Sequence, residues 1–332
     1  MDSIRPAPAR VLARRRMLFA AGPDHARDRP GHVRAASGCC LVRIPGRGRR
    51  LAVVQDDARF VALVDPDTGR AEPLALPTGP GGRRRFDDAL GNKRNKPDLE
   101  AISAVVVDGA PALLAIGSGS AAPRELLLLI RLAPGGTTVE ELPAAAFFAK
   151  LRSDRGFAGS ELNIEGMVQL PNGSLRLFNR GNGAADALGP SVDATCDVPF
   201  AALLAHLRDP AARTAPAPQN VTHHDLGALG GVRLAFTDAS AAGAGILFLA
   251  AAEASPNALE DGEVTGTALG LLRPDGTRVV APLHDEAGRP LREKAEGLAV
   301  DPDEPERAFV VVDRDDPDVP ADLLLVELPP WE

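Results

Sequence analysis

The sequence predicts an all-β fold, a β-propeller whose four-stranded units surround a central channel. Three short segments resemble one another: DLEAI at 98–102, NIEGM at 163–167 and KAEGL at 294–298. Each sets a carboxylate beside a small residue, ahead of an apolar run that reads as a strand. The 33 Gly and 30 Pro residues are spread along the chain as turn residues. Internal repeats with regularly spaced turns are typical of radial β folds, so we expect one domain over residues 1–332.

The spacing of the repeats divides the chain into five units. Glu100 and Glu165 are 65 residues apart, Asp238 follows after 73 residues, and Glu296 after a further 58. A similar distance before Glu100 lies the segment ASG at 36–38, which precedes an apolar run. We therefore expect five blades, with six as the alternative.

Each unit is expected to consist of antiparallel strands joined by turns. Asp108-Gly109 in the second unit is a typical hairpin turn, as are the Pro-Asn-Gly and Asp-Pro-Asp turns of the third and fifth units. Two short helices are expected, at 147–152 and 200–207. The strands of the second unit are predicted at 101–107, 113–116, 125–132 and 138–142.

The last unit supplies only three strands before the chain ends. The segment 10–19 reads as a strand and precedes the first unit. Pairing of this strand with the last unit would close the ring and protect both sheet edges, so we expect that closure. A disordered tail is the alternative, because Arg14, Arg15 and Arg16 are consecutive.

Composition argues against several classes of partner. Residues 1–50 carry 12 Arg and three acids on a chain of net charge −8, but the arginines are scattered and no aromatic residues interleave for base stacking. No run approaches the length of a membrane span, and Pro23 ends the short apolar run of a would-be export signal. We expect a cytoplasmic protein that contacts neither nucleic acid nor membrane. Nothing in the sequence indicates the oligomeric state.

The repeated acids are the strongest candidate site, because the familiar nucleophile, phosphate-loop and zinc motifs are missing from the sequence. The first strand of each blade lines the channel, so Glu100, Glu165, Asp238 and Glu296 are expected to face one cavity. Crowded carboxylates raise one another's pKa or bind a cation. Ca²⁺ takes six to eight oxygen ligands, and Asn179 could contribute one.

A second explanation of the acidic ring is equally strong at this stage. Each acid could instead bind backbone N–H groups or a basic residue of a neighbouring blade, and so lock the blades together. The basic residues at the same mouth are Lys96, Arg180, Lys294 and Arg314.

The Glu-Gly-Met and Glu-Gly-Leu strand openings, and the tips NRGN at 179–182 and DRDD at 313–316, resemble those of the bacterial phytase-like (esterase-like) propellers. They more distantly resemble the senescence-marker/gluconolactonase propellers. Residues 30–330 also resemble an uncharacterised bacterial family of similar length. The gluconolactonase resemblance implies a divalent metal, Ca²⁺ or another, held in the channel, with the glutamates, Asn179 and Asp313 as counterparts of its ligands.

Two functions remain open from the sequence. An enzyme would hydrolyse a phosphate or carboxylic ester: the ion would activate water, Glu165 or Glu296 would act as base, and Arg180 would hold the substrate anion. The alternative is a non-catalytic propeller that binds a small molecule or a protein at its channel face. A scaffold should tie every acid to backbone or Arg, whereas an enzyme should leave carboxyl groups available in a sizeable pocket.

Overall fold

Strands and short helices make up most of the residues that the computed structural model describes, which are 6–44, 46–133, 135–187, 189–254 and 262–331. In chain order the strands are β1 (Ala9–Arg16), β2 (Leu18–Phe19), β3 (Ala36–Ile44), β4 (Gly48–Gln55), β5 (Ala58–Val64), β6 (Arg70–Ala75), β7 (Leu99–Val107), β8 (Ala110–Gly117), β9 (Leu126–Ala133), β10 (Gly136–Pro143), β11 (Ile164–Gln169), β12 (Ser174–Asn179), β13 (Ala194–Pro199), β14 (Gln219–His223), β15 (Ala228–Leu229), β16 (Val232–Arg233), β17 (Ala235–Ala242), β18 (Gly245–Glu253), β19 (Val264–Leu272), β20 (Arg278–His284), β21 (Lys294–Val300), β22 (Arg307–Asp313) and β23 (Asp322–Glu327). The α-helices are α1 (Ala145–Ser153), α2 (Arg155–Ala158) and α3 (Phe200–Arg208).

Across the described ranges most strands belong to five four-stranded antiparallel units, while β15 and β16 form a separate two-stranded sheet and β2 adds to the edge of the first unit. Four units are consecutive in the chain: β3 to β6, β7 to β10, β11 to β14 and β17 to β20. The fifth joins β21, β22 and β23 to β1 from the other end of the chain. The first strand of each unit contacts the first strand of the next, and β21 contacts β3. These contacts close a ring, and they confirm the predicted β-propeller.

The N-terminal strand closes the ring as the sequence predicted. β1 pairs antiparallel with β23, with Arg10 opposite Glu327 and Arg16 opposite Asp322. It also pairs in parallel with the end of β20, and β2 pairs in parallel with β6 of the first unit. Arg14 in the consecutive arginines donates hydrogen bonds to Glu293 at 2.6 Å and to Asp322 at 2.8 Å. The arginine run is therefore compatible with a strand because acids face it.

Each first strand carries a β-bulge near its start. In β7, Leu99 pairs with Gly117 and Ala101 with Ile116, so Glu100 is the extra residue. The extra residues of the other bulges are Glu165, Thr237 and Glu296, and the bulge in β3 includes Ser37. A bulge removes its extra residue from the ladder and redirects the side chain. The three repeated glutamates are thereby turned out of their own blades.

Glycine is required in the bulges of β3 and β21 by the close approach of neighbouring first strands. A Cβ atom added at Gly38 would lie 2.3 Å from the carbonyl oxygen of Glu100. One added at Gly297 would lie 2.3 Å from the carbonyl oxygen of Ser37. Such contacts are too short for any side chain, so glycine lets adjacent blades meet here.

The helices and turns of the second and third units also agree with the sequence. Helices α1 and α3 cover the two predicted segments and bury Phe147, Phe148 and Phe200 against these units. Asp108 and Gly109 both have positive φ, at 54° and 77°, as a tight hairpin turn requires. No helix in the described part of the chain is long and apolar enough to cross a membrane.

Candidate functional site

A cavity of about 350 Å³ lies where the first strands of the ring begin. The starts of β3, β7, β11 and β21 line it, together with residues at or just after the ends of β4, β12, β18 and β22. Its described lining holds eight acids and six bases, so its formal charge is negative. The acids are Asp56, Asp88, Asp98, Glu100, Glu165, Glu253, Glu296 and Asp313, and the bases are Lys93, Arg94, Lys96, Arg124, Arg180 and Lys294.

One half of this cavity is formed by Arg180 and the glutamates that contact it, Glu165, Glu253 and Glu296. Arg180 is 5% exposed. It follows β12, and its Nη1 is 3.3 Å from Glu165 Oε1 and 4.0 Å from Glu296 Oε2. Its Nη2 donates to Glu253 Oε2. Burial alone would lower the pKa of Arg180, but the three glutamates raise it. One guanidinium thus joins carboxyl groups from three units of the ring.

Two carboxyl oxygens in this half have no protein partner in the described ranges. They are Glu165 Oε2 and Glu296 Oε1, on side chains whose residues are only 4% and 5% exposed. Burial raises the pKa of Glu165 to about 8, although Arg180 acts in the opposite direction. Burial likewise raises the pKa of Glu296 well above its usual range. Leaving a buried polar atom without a hydrogen bond costs ~1–3 kcal/mol. These two oxygens are therefore expected to be protonated or to bind a ligand.

The other half of the cavity is organised around Lys96. Its Nζ lies 2.7 Å from both Asp56 Oδ2 and Asp98 Oδ1. Asp56, Asp98 and Glu100 form an acidic triad with oxygens within 4.8 Å of one another, a spacing that could hold a metal ion. The ammonium group already supplies a cation between two members of this triad.

The remaining bonds of the triad also come from the protein. Asp98 Oδ2 accepts hydrogen bonds from Ser118 Oγ at 2.5 Å and Arg124 Nη1 at 2.9 Å. Burial would raise the pKa of Asp98, but Lys96 and Arg124 lower it. Glu100 accepts from Ser37 Oγ at 2.5 Å, while burial raises the pKa of Glu100.

Asp313, a predicted metal ligand, lines the cavity at the end of β22. Burial raises its pKa to about 7, while nearby Lys294 lowers it. Lys294 also binds Asp315 at 3.0 Å.

Asp238 lies outside the cavity lining, and its carboxylate binds backbone. It accepts N–H groups of Leu298 and Ala239 at 2.7 Å each and of Cys39 at 3.3 Å. The extra residue of the bulge in β17 is Thr237, so Asp238 is one position beyond the equivalent of Glu165. A one-residue offset in a strand turns a side chain to the other face. The prediction that Asp238 is equivalent to the glutamates and faces the same cavity is therefore wrong.

Asn179 is also occupied by backbone and is not part of the lining. Its Oδ1 accepts the N–H of Asn163 at 2.8 Å, and its Nδ2 donates to the carbonyl oxygen of Val192 at 2.9 Å. A Ca²⁺ ion needs six to eight oxygens. With Asp238 and Asn179 bound to backbone, and Lys96 and Arg180 beside the glutamates, the predicted ligand set does not fit a divalent ion as it stands.

Sequence reasoning missed Asp88 and Asp98 in the segment before β7, and it also missed two cavity acids beside other strands, Asp56 and Glu253. Both lie where the second strand of a unit ends, as do Arg180 and Asp313. The signal that could have found them is this repeat position, since the ends of second strands lie beside the starts of first strands in an antiparallel blade.

A family model matches residues 92–317, which begin in the connection before β7 and include the second, third and fourth units and strands β21 and β22 of the fifth. The chain belongs to this family, the family of unknown function DUF6910. No curated protein matches the sequence. The resemblance to phytase-like and gluconolactonase propellers stays a prediction.

Several solved structures are similar to this chain at low sequence identity. Glutaminyl cyclase from Myxococcus xanthus is 13% identical, with 97% of this chain and 99% of that chain covered and a TM-score of 0.46. The PQQ-bound aldose sugar dehydrogenase from Streptomyces coelicolor is 14% identical over 97% and 99% of the chains, with a TM-score of 0.37. The Pan2 WD40 domain from Neurospora crassa is 11% identical over 99% and 98%, with a TM-score of 0.39. These values carry no inference about activity.

Proposed function

We propose that the protein binds a small polar molecule in the central cavity and hydrolyses an ester in it, with Glu165 and Glu296 as an acid–base pair. The observation that supports this most directly is the pair of buried carboxyl groups on either side of Arg180 Nη1. Each keeps one oxygen without a protein partner in the described residues. Their shared contact with one nitrogen, at 3.3 and 4.0 Å, places both carboxyl groups within reach of one small substrate.

The chemistry requires one ionised and one protonated carboxyl group. The ionised group takes a proton from water as the water oxygen attacks the ester carbonyl carbon, and the protonated group gives its proton to the departing alkoxide. The products are a carboxylic acid and an alcohol. A pKa of about 8 at Glu165 suits the role of proton donor at neutral pH. Glu296 is then the ionised partner, and the raising effect of burial on its pKa is opposed by the positive charges of Arg180 and Lys294, which lower it. Because the Nη groups of Arg180 face glutamates, the predicted role of Arg180 in holding a substrate anion is not part of this proposal.

A carboxylic ester fits this cavity better than a phosphoester. The bases beside the triad and the two glutamates are Lys96, Arg124 and Arg180, and each is paired with acids. A phosphate between Glu165 and Glu296 would therefore meet little unpaired positive charge. The sequence also predicted Ca²⁺ or another divalent ion as cofactor. The proposed reaction uses no ion, because the predicted ligand set does not fit one. A cytoplasmic location and the lack of nucleic-acid and membrane partners stay predictions.

The test is turnover of a panel of p-nitrophenyl carboxylic esters, a p-nitrophenyl phosphate and a lactone. Loss of a general acid or base costs ~10²–10⁴-fold in rate, so Glu165→Gln and Glu296→Gln should each lower kcat/KM for the best ester by about that factor. Glu72→Gln is the matched control, because Glu72 is a surface acid paired with Arg47. Circular dichroism would verify folding of each variant. Ester hydrolysis that survives both cavity substitutions would refute the assignment.

A non-catalytic binding propeller is the second candidate. It is favoured by the ion pairs that join Arg180 to three units of the ring, since such ties also suit a rigid binding pocket. In that case a small molecule should raise the melting temperature while no member of the substrate panel turns over.

A further inference from the structure

The half of the cavity around Arg180 contains more negative than positive groups. We infer that the ligand of this site carries a protonated primary or secondary amine, whose N–H groups bind between Glu165 and Glu296. The inference rests on the binding step of the proposed function and specifies the class of molecule. Because this ammonium group occupies the oxygens assigned to the acid–base pair, a bound amine would inhibit ester hydrolysis at the same site.

The first argument is charge. Glu165, Glu253 and Glu296 surround the Arg180 guanidinium, and Lys294 is the second positive charge that acts on Glu296. The described cavity lining as a whole has two more acids than bases. A cationic ligand supplies the missing positive charge where the acids are closest to one another. Opposite charges at such distances favour the ionised carboxylates and the bound cation together.

The second argument is the kind of bond that the site can form. Glu165 Oε2 and Glu296 Oε1 belong to cavity-lining residues that are more than nine-tenths buried, and both atoms lack a described partner. Carboxylate oxygens accept hydrogen bonds, and an ammonium group with two or three N–H donors can bond to both at once. An ammonium group therefore supplies these two oxygens with hydrogen-bond donors as well as with positive charge.

The third argument separates this ligand from other cations. Recognition of a quaternary ammonium group uses aromatic faces, and the described cavity lining contains no aromatic residue. A Ca²⁺ ion needs six to eight oxygens, whereas only two are available here and the Arg180 guanidinium lies beside their carboxyl groups. An amine with N–H groups is the cation that this surrounding can bind.

The experiment compares three probes of similar shape: n-butylamine, n-butyltrimethylammonium and 1-butanol. Binding is measured by titration calorimetry and thermal shift at constant ionic strength, with CaCl₂ as a fourth probe. We expect n-butylamine to bind at least about tenfold more tightly than the other two organic probes, a difference of ~1.4 kcal/mol. Glu165→Gln and Glu296→Gln should each remove this preference, and Glu72→Gln should leave it intact.

The wild-type probe series is decisive even if a cavity variant fails to fold. Equal binding of the amine and its trimethylated counterpart would overturn the inference, as would a response to Ca²⁺ alone. Ester hydrolysis without an amine preference would leave the proposed hydrolase standing and remove only this inference. An amine preference without ester turnover would support the inference and reject the hydrolase in favour of a binding propeller.

Discussion

Asp238 offers a direct test of how the ring is held together, because its carboxylate bonds to three first strands. It accepts N–H groups from Cys39 in β3, Ala239 in β17 and Leu298 in β21. Burial raises the pKa of Asp238 while these donors lower it. Since all three of these contacts are N–H donors, the ionised form is the one that satisfies them. Asp238→Asn should therefore weaken the contact between the fourth, fifth and first units.

The size of the effect follows from which bonds an amide can keep. Oδ1 accepts one N–H and Oδ2 accepts two. In asparagine an NH₂ group replaces one of these oxygens, so at least one hydrogen bond is lost and the NH₂ group faces a backbone N–H donor. A hydrogen bond to a charged group contributes ~1.5–3 kcal/mol. The substitution should lower the free energy of unfolding by at least that amount, measured by urea denaturation followed by circular dichroism.

The control for this substitution is Asp275→Asn. Asp275 is an exposed turn residue whose Oδ1 accepts the N–H of Thr277 at 2.9 Å, a bond that an amide oxygen can also make. Its unfolding midpoint should stay close to that of the wild type. An Asp238→Asn protein as stable as the wild type would show that the carboxylate is already protonated or that its backbone bonds contribute little.

Three further predictions concern the cavity and the closure of the ring. Because the pKa of Glu165 is raised from 4.5 to about 8, its protonated form stabilises the fold fully at a pH below 4.5, and this stabilisation is lost as the pH rises to about 8. Glu165→Gln should therefore flatten the decline of the unfolding free energy over this pH range. An unchanged pH profile would contradict the raised pKa. Lys96→Gln should destabilise the protein by ~3–5 kcal/mol, because it leaves buried carboxylates without their positive partner. CaCl₂ should raise the melting temperature of this variant but not of the wild type. A calcium response in the wild type would restore the metal hypothesis. Deleting residues 1–22 should expose the edge of β23 and cause aggregation, and a soluble truncated protein with unchanged melting would show that β1 is dispensable.

The repeat could be predicted from the sequence because it reflects a local requirement of the fold. Glu165 and Glu296 are each the extra residue of a bulge, and the glycine that follows each one permits close approach of the next strand. The two residues that meet these requirements are therefore adjacent in the sequence. Asp238-Ala239 has the same local appearance as Glu165-Gly166. The bulge at Thr237 distinguishes them, and it depends on pairing with β18, which the sequence of β17 alone does not show.

The partners of the acids could not be predicted in the same way. Lys96 and Asp56 are 40 residues apart in the chain, and Arg180 and Glu253 are 73 apart. Each pair forms because the end of one strand lies beside another unit. Sequence spacing indicates that the acids converge, but which base neutralises each acid depends on the geometry of the closed ring.

The bonds made by each acid separate the structural from the functional members of the ring. Both oxygens of Asp98 and of Asp238 accept hydrogen bonds from the protein, so a ligand could reach them only by displacing bonds that hold blades together. Glu165 and Glu296 each retain one oxygen without a described partner. Function is therefore expected on the side of the cavity formed by the third, fourth and fifth units, and the Lys96 side serves mainly to close the ring. It follows that Glu165 and Glu296, and not the more tightly paired Asp56, Asp98 and Glu100, are the positions at which substitution should alter ligand binding more than stability.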